Sequence, residues 1–271
     1  GSADTAMLAV QNAGGKVGST NVTQTITTTA AAGDIEGVDL ATSGTNRVAI
    51  DGGSSVAKYN VTGNGTNHIT LDSAATTMTL DASGTTGTNT LVLGSLLSTT
   101  DTITGGSGAD TVTATVANAV QSLPTISAVE TLDLTYTAAG TINAKNITDV
   151  TKLVLTPTGA VAATLSNLAD SVADVQVSKT SAITTTGLVT LGYAAGSESD
   201  VTLTLGATPS SGTAAVDIGN VKVTGNTGAL TVNSAGTAKN LMDGLTADNA
   251  STVTVAGTTQ ELDVSALSAK G

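Results

Sequence analysis

The chain of 271 residues contains no Cys, Phe or Trp, one His and three Tyr. Without Cys it forms no disulfide and offers no thiolate as a nucleophile or metal ligand. Its 39% of hydrophobic residues are therefore nearly all Ala, Val, Leu and Ile. We expect a thin aliphatic core, in a chain long enough for one long all-β domain or two smaller ones.

Positive charge is also scarce. Nine Lys and Arg stand against 21 Asp and Glu, which gives a formal net charge of −12. Proteins that follow a phosphate backbone need the opposite charge, so we expect no nucleic-acid partner. An acidic surface suits divalent cations and keeps an extracellular protein soluble. No apolar run approaches the roughly 18 residues of a membrane span, so we expect no membrane-spanning segment.

The residue types of common catalytic sites are missing too. His68 is the only histidine, it lies at the start of an apparent strand, and no G-x-S-x-G string accompanies it. A zinc site needs several His or Cys ligands. Paired carboxylates remain available for glycoside chemistry, but three Tyr give little with which to line a sugar cleft. We expect that the chain is not an enzyme.

The residues that are abundant favour β-structure. Thr, Val and Ile are β-branched and fit a pleated surface better than a helix. Apolar residues alternate with Thr in short runs bounded by Gly, Asn, Asp or Ser, which is the period of a strand; examples are residues 69–71, 201–205, 221–223 and 253–255. We predict an all-β fold, either an elongated β-solenoid or linked β-sandwich modules built from short Thr/Val-rich strands, and favour the solenoid because sandwiches usually centre on an aromatic.

Two strings 94 residues apart indicate related modules. IEGVDL at residues 35–40 aligns with VETLDL at residues 129–134. We predict a first β module over 1–115, ending in a Gly-rich calcium turn, and a second over 116–271 with a candidate further boundary near 206–213. Pro157 and Pro209 lie in turn-rich strings and are the expected internal joints. Residues 166–174 and 237–243 are expected to form short helical turns, with Ser166 and Thr237 as N-caps.

One nonapeptide fits a metal-binding pattern. GGSGADTVT at residues 105–113 matches G-G-x-G-x-D-x-U-x, which builds calcium-binding turns in parallel β-rolls. Ca²⁺ takes six to eight oxygen ligands, and a β-roll supplies them from Gly-turn carbonyls and Asp carboxylates of stacked turns. A weaker copy with Asp101 in the same place lies nine residues earlier. We predict calcium ligation by Gly105, Gly106, Gly108, Asp110 and Asp101, the alternative being a plain Gly turn between strands.

The order of two strings carries a family resemblance. GGSGAD at residues 105–110 followed by LPTISAVETLDL at residues 123–134 resembles the calcium-dependent surface-layer proteins of Gram-negative bacteria. The resemblance implies type I secretion of an RTX-like protein, folding triggered by Ca²⁺ outside the cell, and assembly into a lattice anchored to lipopolysaccharide. The family's calcium turn corresponds to Gly105, Gly106, Gly108 and Asp110. This chain departs from the family pattern in having so few copies of the nonapeptide.

The leading hypothesis is therefore a structural one. We expect a calcium-binding, self-assembling piece of a surface-layer protein on the bacterial cell surface. We expect a fragment of a longer protein because Gly1-Ser2 is typical of a cloning remnant. Its expected partners are copies of itself and, through regions outside this fragment, lipopolysaccharide. The alternative is a calcium-binding module of a large secreted adhesin or another RTX-type protein. A β-helical polysaccharide lyase or hydrolase is the third class.

Overall fold

The computed structural model describes residues 4–17, 20–27, 35–117, 120–158, 161–178, 187–206, 216–236, 239–257 and 261–269. Over these residues the chain forms β-strands, turns and bends but no helix, so the all-β prediction is confirmed. In particular, the described part of the chain has no helix long and apolar enough to cross a membrane. Two compact units result, one of residues 1–115 and 124–131, the other of residues 116–123 and 132–271.

The first unit consists of two layers of parallel strands. Its first layer has the order β1-β5-β7-β9-β11-β14, and its second has the order β4-β6-β8-β10-β12, while β2 and β3 form an antiparallel hairpin. The strands are β1 Thr5–Gln11, β2 Gly15–Val17, β3 Thr20–Val22, β4 Gln24–Thr27, β5 Gly37–Ser43, β6 Thr45–Asp51, β7 Lys58–Gly63, β8 Thr66–Ser73, β9 Thr79–Thr85, β10 Asn89–Gly94, β11 Thr102–Thr104, β12 Thr111–Val116 and β14 Thr125–Ser127.

The second unit has the same construction. Its two layers are numbered third and fourth. The third layer has the order β13-β16-β18-β20-β22-β24, with β26 and β27 both pairing with β24, and the fourth has the order β15-β17-β19-β21-β23-β25. The strands are β13 Val120–Ser122, β15 Thr131–Tyr136, β16 Gly140–Asn143, β17 Lys152–Pro157, β18 Ala163–Leu168, β19 Asp174–Val177, β20 Val189–Ser197, β21 Val201–Leu205, β22 Asp217–Asn226, β23 Leu230–Ser234, β24 Asn240–Ala247, β25 Val253–Gly257, β26 Leu262–Val264 and β27 Leu267–Ala269.

Each coil contributes one strand to each layer, so every unit is a β-solenoid rather than a β-sandwich. In the first unit the chain returns to the same position in a layer after 21 or 22 residues, as in Asn46↔Asn67 and Asn67↔Asn89. Adjacent strands are parallel because the chain turns in one sense and always enters a layer from the same corner. This architecture is the first of the two that the sequence predicts.

The core is thin and aliphatic, as expected. Inward residues of each strand are buried and outward ones are polar, so β12 alternates between half-buried Thr and the buried Val112, Ala114 and Val116. The three aromatic rings all belong to the core, since Tyr59, Tyr136 and Tyr193 are at most 6% exposed. The rings are thus part of a core that otherwise consists of aliphatic side chains.

Two of the expected helical turns are wrong. Ser166 lies in β18 and does not cap a helix, and residues 240–243 open the strand β24. Thr237 lies outside the described residues. In both segments, pairing with the strand of the preceding coil outweighs the weak local helical preference.

Of the two prolines expected to mark internal joints, the structure describes only Pro157. Pro157 is the last residue of β17, inside the fourth layer of the second unit, so it does not separate modules. A strand end tolerates proline because no further ladder hydrogen bond is needed there. Pro209 and residues 207–213 of the predicted further boundary lie outside the described residues.

The two aligned strings, residues 35–40 and 129–134, share one local contact, in which their Glu side chain accepts a backbone N–H. Glu36 Oε2 accepts the backbone N–H of Asp4 at 2.6 Å, and Glu130 Oε2 accepts that of Asp110 at 2.7 Å. In both cases a Glu at a coil corner binds the preceding coil. The strand that follows Glu36 lies in the first layer, however, whereas the strand that follows Glu130 lies in the fourth.

Two buried tyrosines provide a matched stability test. The hydroxyl of Tyr193 donates to the Val172 carbonyl at 2.8 Å, whereas the buried hydroxyl of Tyr136 has no hydrogen-bond partner among the described residues. Removing a buried hydroxyl without a partner relieves a desolvation cost, so we expect Tyr136→Phe to raise the free energy of unfolding by about 1 kcal/mol and Tyr193→Phe to lower it by about 1 kcal/mol. Urea denaturation measures both. Equal destabilisation by the two substitutions would contradict the assignment.

Candidate functional site

The nonapeptide forms a coil corner of the first unit, between β11 and β12. Asp110 immediately precedes β12, and its side chain is fully buried. Its Oδ1 accepts the backbone N–H of Asn89 at 2.7 Å and the side-chain amide of Asn89 at 2.9 Å. Its Oδ2 accepts the backbone N–H of Gly106. Both carboxylate oxygens are therefore bound by N–H groups, one from the preceding coil and one from the same corner.

Asp110 is the last member of a row of stacked polar side chains, which we call the asparagine ladder. The ladder consists of Asn46, Asn67, Asn89 and Asp110, all at most 3% exposed. Asn46 Nδ2 donates to Asn67 Oδ1 at 3.0 Å, and Asn67 Nδ2 donates to Asn89 Oδ1 at 2.9 Å. Each side-chain amide thus donates a hydrogen bond to the next coil. At the start of the row, Asn46 Oδ1 accepts a hydrogen bond from the backbone N–H of Ala13 at 3.1 Å.

The ladder has a direction, and Asp110 fits its end. An Asn can accept on Oδ1 and donate from Nδ2, so it can continue such a row, whereas an ionised Asp only accepts. The Asp110 carboxylate accepts the hydrogen bond of the last amide, that of Asn89, and has no N–H with which to donate to a further coil. Hydrogen bonds to an ionised acceptor are shorter and stronger than neutral ones. The ladder therefore ends in its strongest acceptor.

The glycines of the motif are required by close stacking of coils. A Cβ on Gly105 would overlap the carbonyl oxygen of Ala128, a Cβ on Gly106 would overlap the Thr85 hydroxyl, and a Cβ on Gly108 would overlap the Gly87 carbonyl. None of the three has a positive φ, so a left-handed backbone conformation is not what requires these glycines. They serve close approach of backbones instead.

Asp101 occupies the preceding corner of the same coil. Its side chain is 2% exposed. Oδ1 accepts the backbone N–H of Met78, one coil earlier, at 2.9 Å, and Oδ2 accepts that of Ser98 at 2.7 Å. Asp101 and Asp110 therefore do the same thing at two corners, but they have no hydrogen-bond partner in common among the described residues.

The structural repeat differs from the one the nonapeptide predicts. The corners at Asp101 and Asp110 do not stack on each other, because β11 and β12, which follow them, belong to opposite layers. The corner that stacks on residues 108–110 is residues 87–89. The sequence carries this repeat as G-T-N at residues 44–46, 65–67 and 87–89 and as G-A-D at residues 108–110. A search at a period of 21 or 22 residues, rather than nine, finds it.

The donor set at these corners gives the two aspartates a role that involves no metal. Ca²⁺ takes six to eight oxygens, and both oxygens of each aspartate already face N–H groups. Across the described residues no three His, Asp or Glu side chains come close enough to share an ion. Calcium binding by Gly105, Gly106, Gly108, Asp110 and Asp101 stays a prediction.

The second unit also binds coil to coil through side chains at its corners. Asp170 Oδ1 accepts the backbone N–H groups of Ser199 and Glu198 at 2.9 and 2.8 Å, and its Oδ2 accepts the Ser199 hydroxyl at 2.8 Å. These bonds, chiefly those from Ser199, hold the pKa of the Asp170 carboxyl below its usual value. The fully buried Asn240 accepts from Val216 N at 2.8 Å and donates to the Ser234 hydroxyl at 2.8 Å. Sequence reasoning missed both residues, because no short motif surrounds them.

Comparison with protein-family models, curated proteins and solved structures gives no match.

The direction of the asparagine ladder generates the first test of this site. In Asn67→Asp an oxygen replaces the amide that donates to Asn89 Oδ1, so two acceptors would face each other and a charge would be buried. We expect a loss of about 2–4 kcal/mol in the free energy of unfolding. The control is Asn64→Asp in the exposed turn just before the ladder position, which should change stability by less than about 0.5 kcal/mol. Equal effects of the two would contradict the ladder.

The only histidine generates a pH prediction. His68 pairs with Arg47 across β6 and β8, and burial together with the positive charge of Arg47 lowers the pKa of His68 below its usual 6.5. The unfolded chain then binds a proton more readily, so the contribution of His68 to stability is full above pH 6.5 and is lost as the pH falls towards its folded pKa. NMR titration should give a pKa below 6.5 that rises in Arg47→Gln. A pKa unchanged by that substitution would contradict the coupling.

Proposed function

We propose that the chain is a structural segment of a secreted bacterial surface-layer protein and associates with copies of itself outside the cell. The observation that carries the proposal is how the corner side chains are used. Asp110, Asp101, Asn67, Asn240 and Asp170 all bind a neighbouring coil of their own chain. Groups engaged in this way support a repetitive scaffold and leave little for the binding or turnover of a substrate.

Exposed edges support association between copies. β1 pairs only with β5 and β27 only with β24 within the described residues, so each presents one row of free backbone groups. Each strand also exposes an apolar side chain, Met7 at 82% and Leu267 at 55%. Unprotected edge strands are templates for pairing with another chain. In a lattice protein such an edge is a contact surface.

Calcium enters the proposal as an ion between copies. A chain with a net charge of −12 repels its own copies, and a divalent cation between facing carboxylates removes that repulsion. The solvent-facing acids Asp243 and Glu198 of the second unit are the accessible candidates. Lipopolysaccharide is the proposed anchor, through regions outside this chain.

The test is self-association measured by sedimentation velocity with calcium and with chelator. We expect oligomers that grow with CaCl₂ and dissociate in EDTA, and a several-fold weaker association in Met7→Lys, because a charge in the contact opposes edge pairing. Thr190→Lys is the matched control, since it adds the same charge to the half-buried outer position of β20, which is paired on both sides.

Two outcomes would contradict the proposal. One is a chain that stays monomeric at all concentrations, with and without calcium. The other is a monomer that binds glycans in an array, which would favour the adhesin module instead.

A further inference from the structure

We infer that the G-G-x-G-x-D corner of this chain is a metal-independent end of the asparagine ladder, in which Asp110 acts as a fixed hydrogen-bond acceptor and the coil folds around it without calcium. The inference concerns the buried corner and is independent of association between copies. It rests on the donors that reach Asp110, on the packing around it and on the matching chemistry of Asp101.

The donors already satisfy the charge of the carboxylate. Asn89 provides a backbone and a side-chain N–H to Oδ1, and Gly106 provides a backbone N–H to Oδ2. Several N–H bonds stabilise an ionised carboxyl in the absence of a counter-ion. A calcium ion at the same oxygens would face the hydrogens of these donors, which repel a cation.

The packing leaves little room beside the carboxylate. The Gly105 α-carbon is so close to its neighbours that a single added carbon would overlap the Ala128 oxygen and lie 2.8 Å from Asp110 Oδ2. A Cβ on Gly108 would likewise overlap the Gly87 carbonyl oxygen. The corner is packed for backbone contact between coils.

Asp101 shows that the arrangement is a construction rule and not an accident of one corner. It too is buried and accepts one backbone N–H from the preceding coil and one from its own corner. The sequence around it has no glycine pair. The carboxylate and its two N–H donors are therefore the shared element, and the glycines belong to the packing of one corner only.

The experiment compares wild type, Asp110→Asn, Asp101→Asn and the control Asp72→Asn, each in EDTA and in millimolar calcium. Each of the three variants removes one negative charge from the same scaffold. Asp72 is the control because its side chain is exposed, whereas those of Asp110 and Asp101 are buried. In Asp110→Asn one oxygen becomes an amide that faces the Gly106 N–H, so we expect a melting temperature lower by about 3–10 °C in either solution. The wild type should be folded in EDTA by circular dichroism. Any effect of calcium on the melting temperature should be the same in all four proteins.

A local readout keeps the inference testable if Asp110→Asn does not fold. In the wild type, we expect the amide of Gly106 to be protected from hydrogen exchange in EDTA and to keep its NMR chemical shift on addition of calcium. A wild type unfolded in EDTA would overturn the inference. So would a calcium-induced rise in melting temperature that is lost in Asp110→Asn or Asp101→Asn but kept in Asp72→Asn, or a saturable shift of the Gly106 amide with calcium.

Discussion

Hydrogen bonding between adjacent coils at the corners is the interaction on which the rest of this structure depends. Along the strands, backbone N–H and C=O groups find partners in the parallel ladder, but at a corner the chain turns away and leaves donors inside the protein. An unpaired buried N–H is costly. Asp101 binds the N–H of Met78 and Asp110 binds that of Asn89, which satisfies donors that the strands do not reach.

This constraint also explains the composition. Coils that stack at strand spacing, about 4.8 Å, leave no room for a side chain where two corner backbones meet, which is why Gly87 and Gly108 face each other. The layers, in turn, are close enough to be filled by Val, Leu and Ile. Aromatic rings are therefore few, and the three present are all used in the core. Glycine at the corners thus follows from the spacing of the coils, and the scarcity of large residues follows from the separation of the layers.

The fold was largely readable from the sequence, because alternation of apolar residues with Thr is a local property. It correctly indicated short strands such as β21 and β25 and a solenoid with a mainly aliphatic core. The segments misread as helical turns, around Ser166 and residues 240–243, pair with coils more than 20 residues away. No local pattern reports such pairing.

The site was less readable for a related reason. The nonapeptide singled out a corner at which Asp110 is buried, but it did not indicate the coil on which this corner stacks. The partner of Asp110 is Asn89, 21 residues earlier, in a string that has no glycine pair. Only the comparison of residues 87–89 with residues 108–110 links the two, and that comparison requires the length of the coil to be known.

The direction of the asparagine ladder has a consequence for how this solenoid can change in length. Duplication of one coil that carries G-T-N adds another amide, which accepts from one neighbour and donates to the other, so the row stays satisfied. A coil added beyond Asp110 would receive no hydrogen bond from the ladder, because a carboxylate has no N–H to donate. The first unit is therefore extensible on the side of Asn46 by whole coils of 21 or 22 residues, and Asp110 marks where that series of interchangeable coils stops.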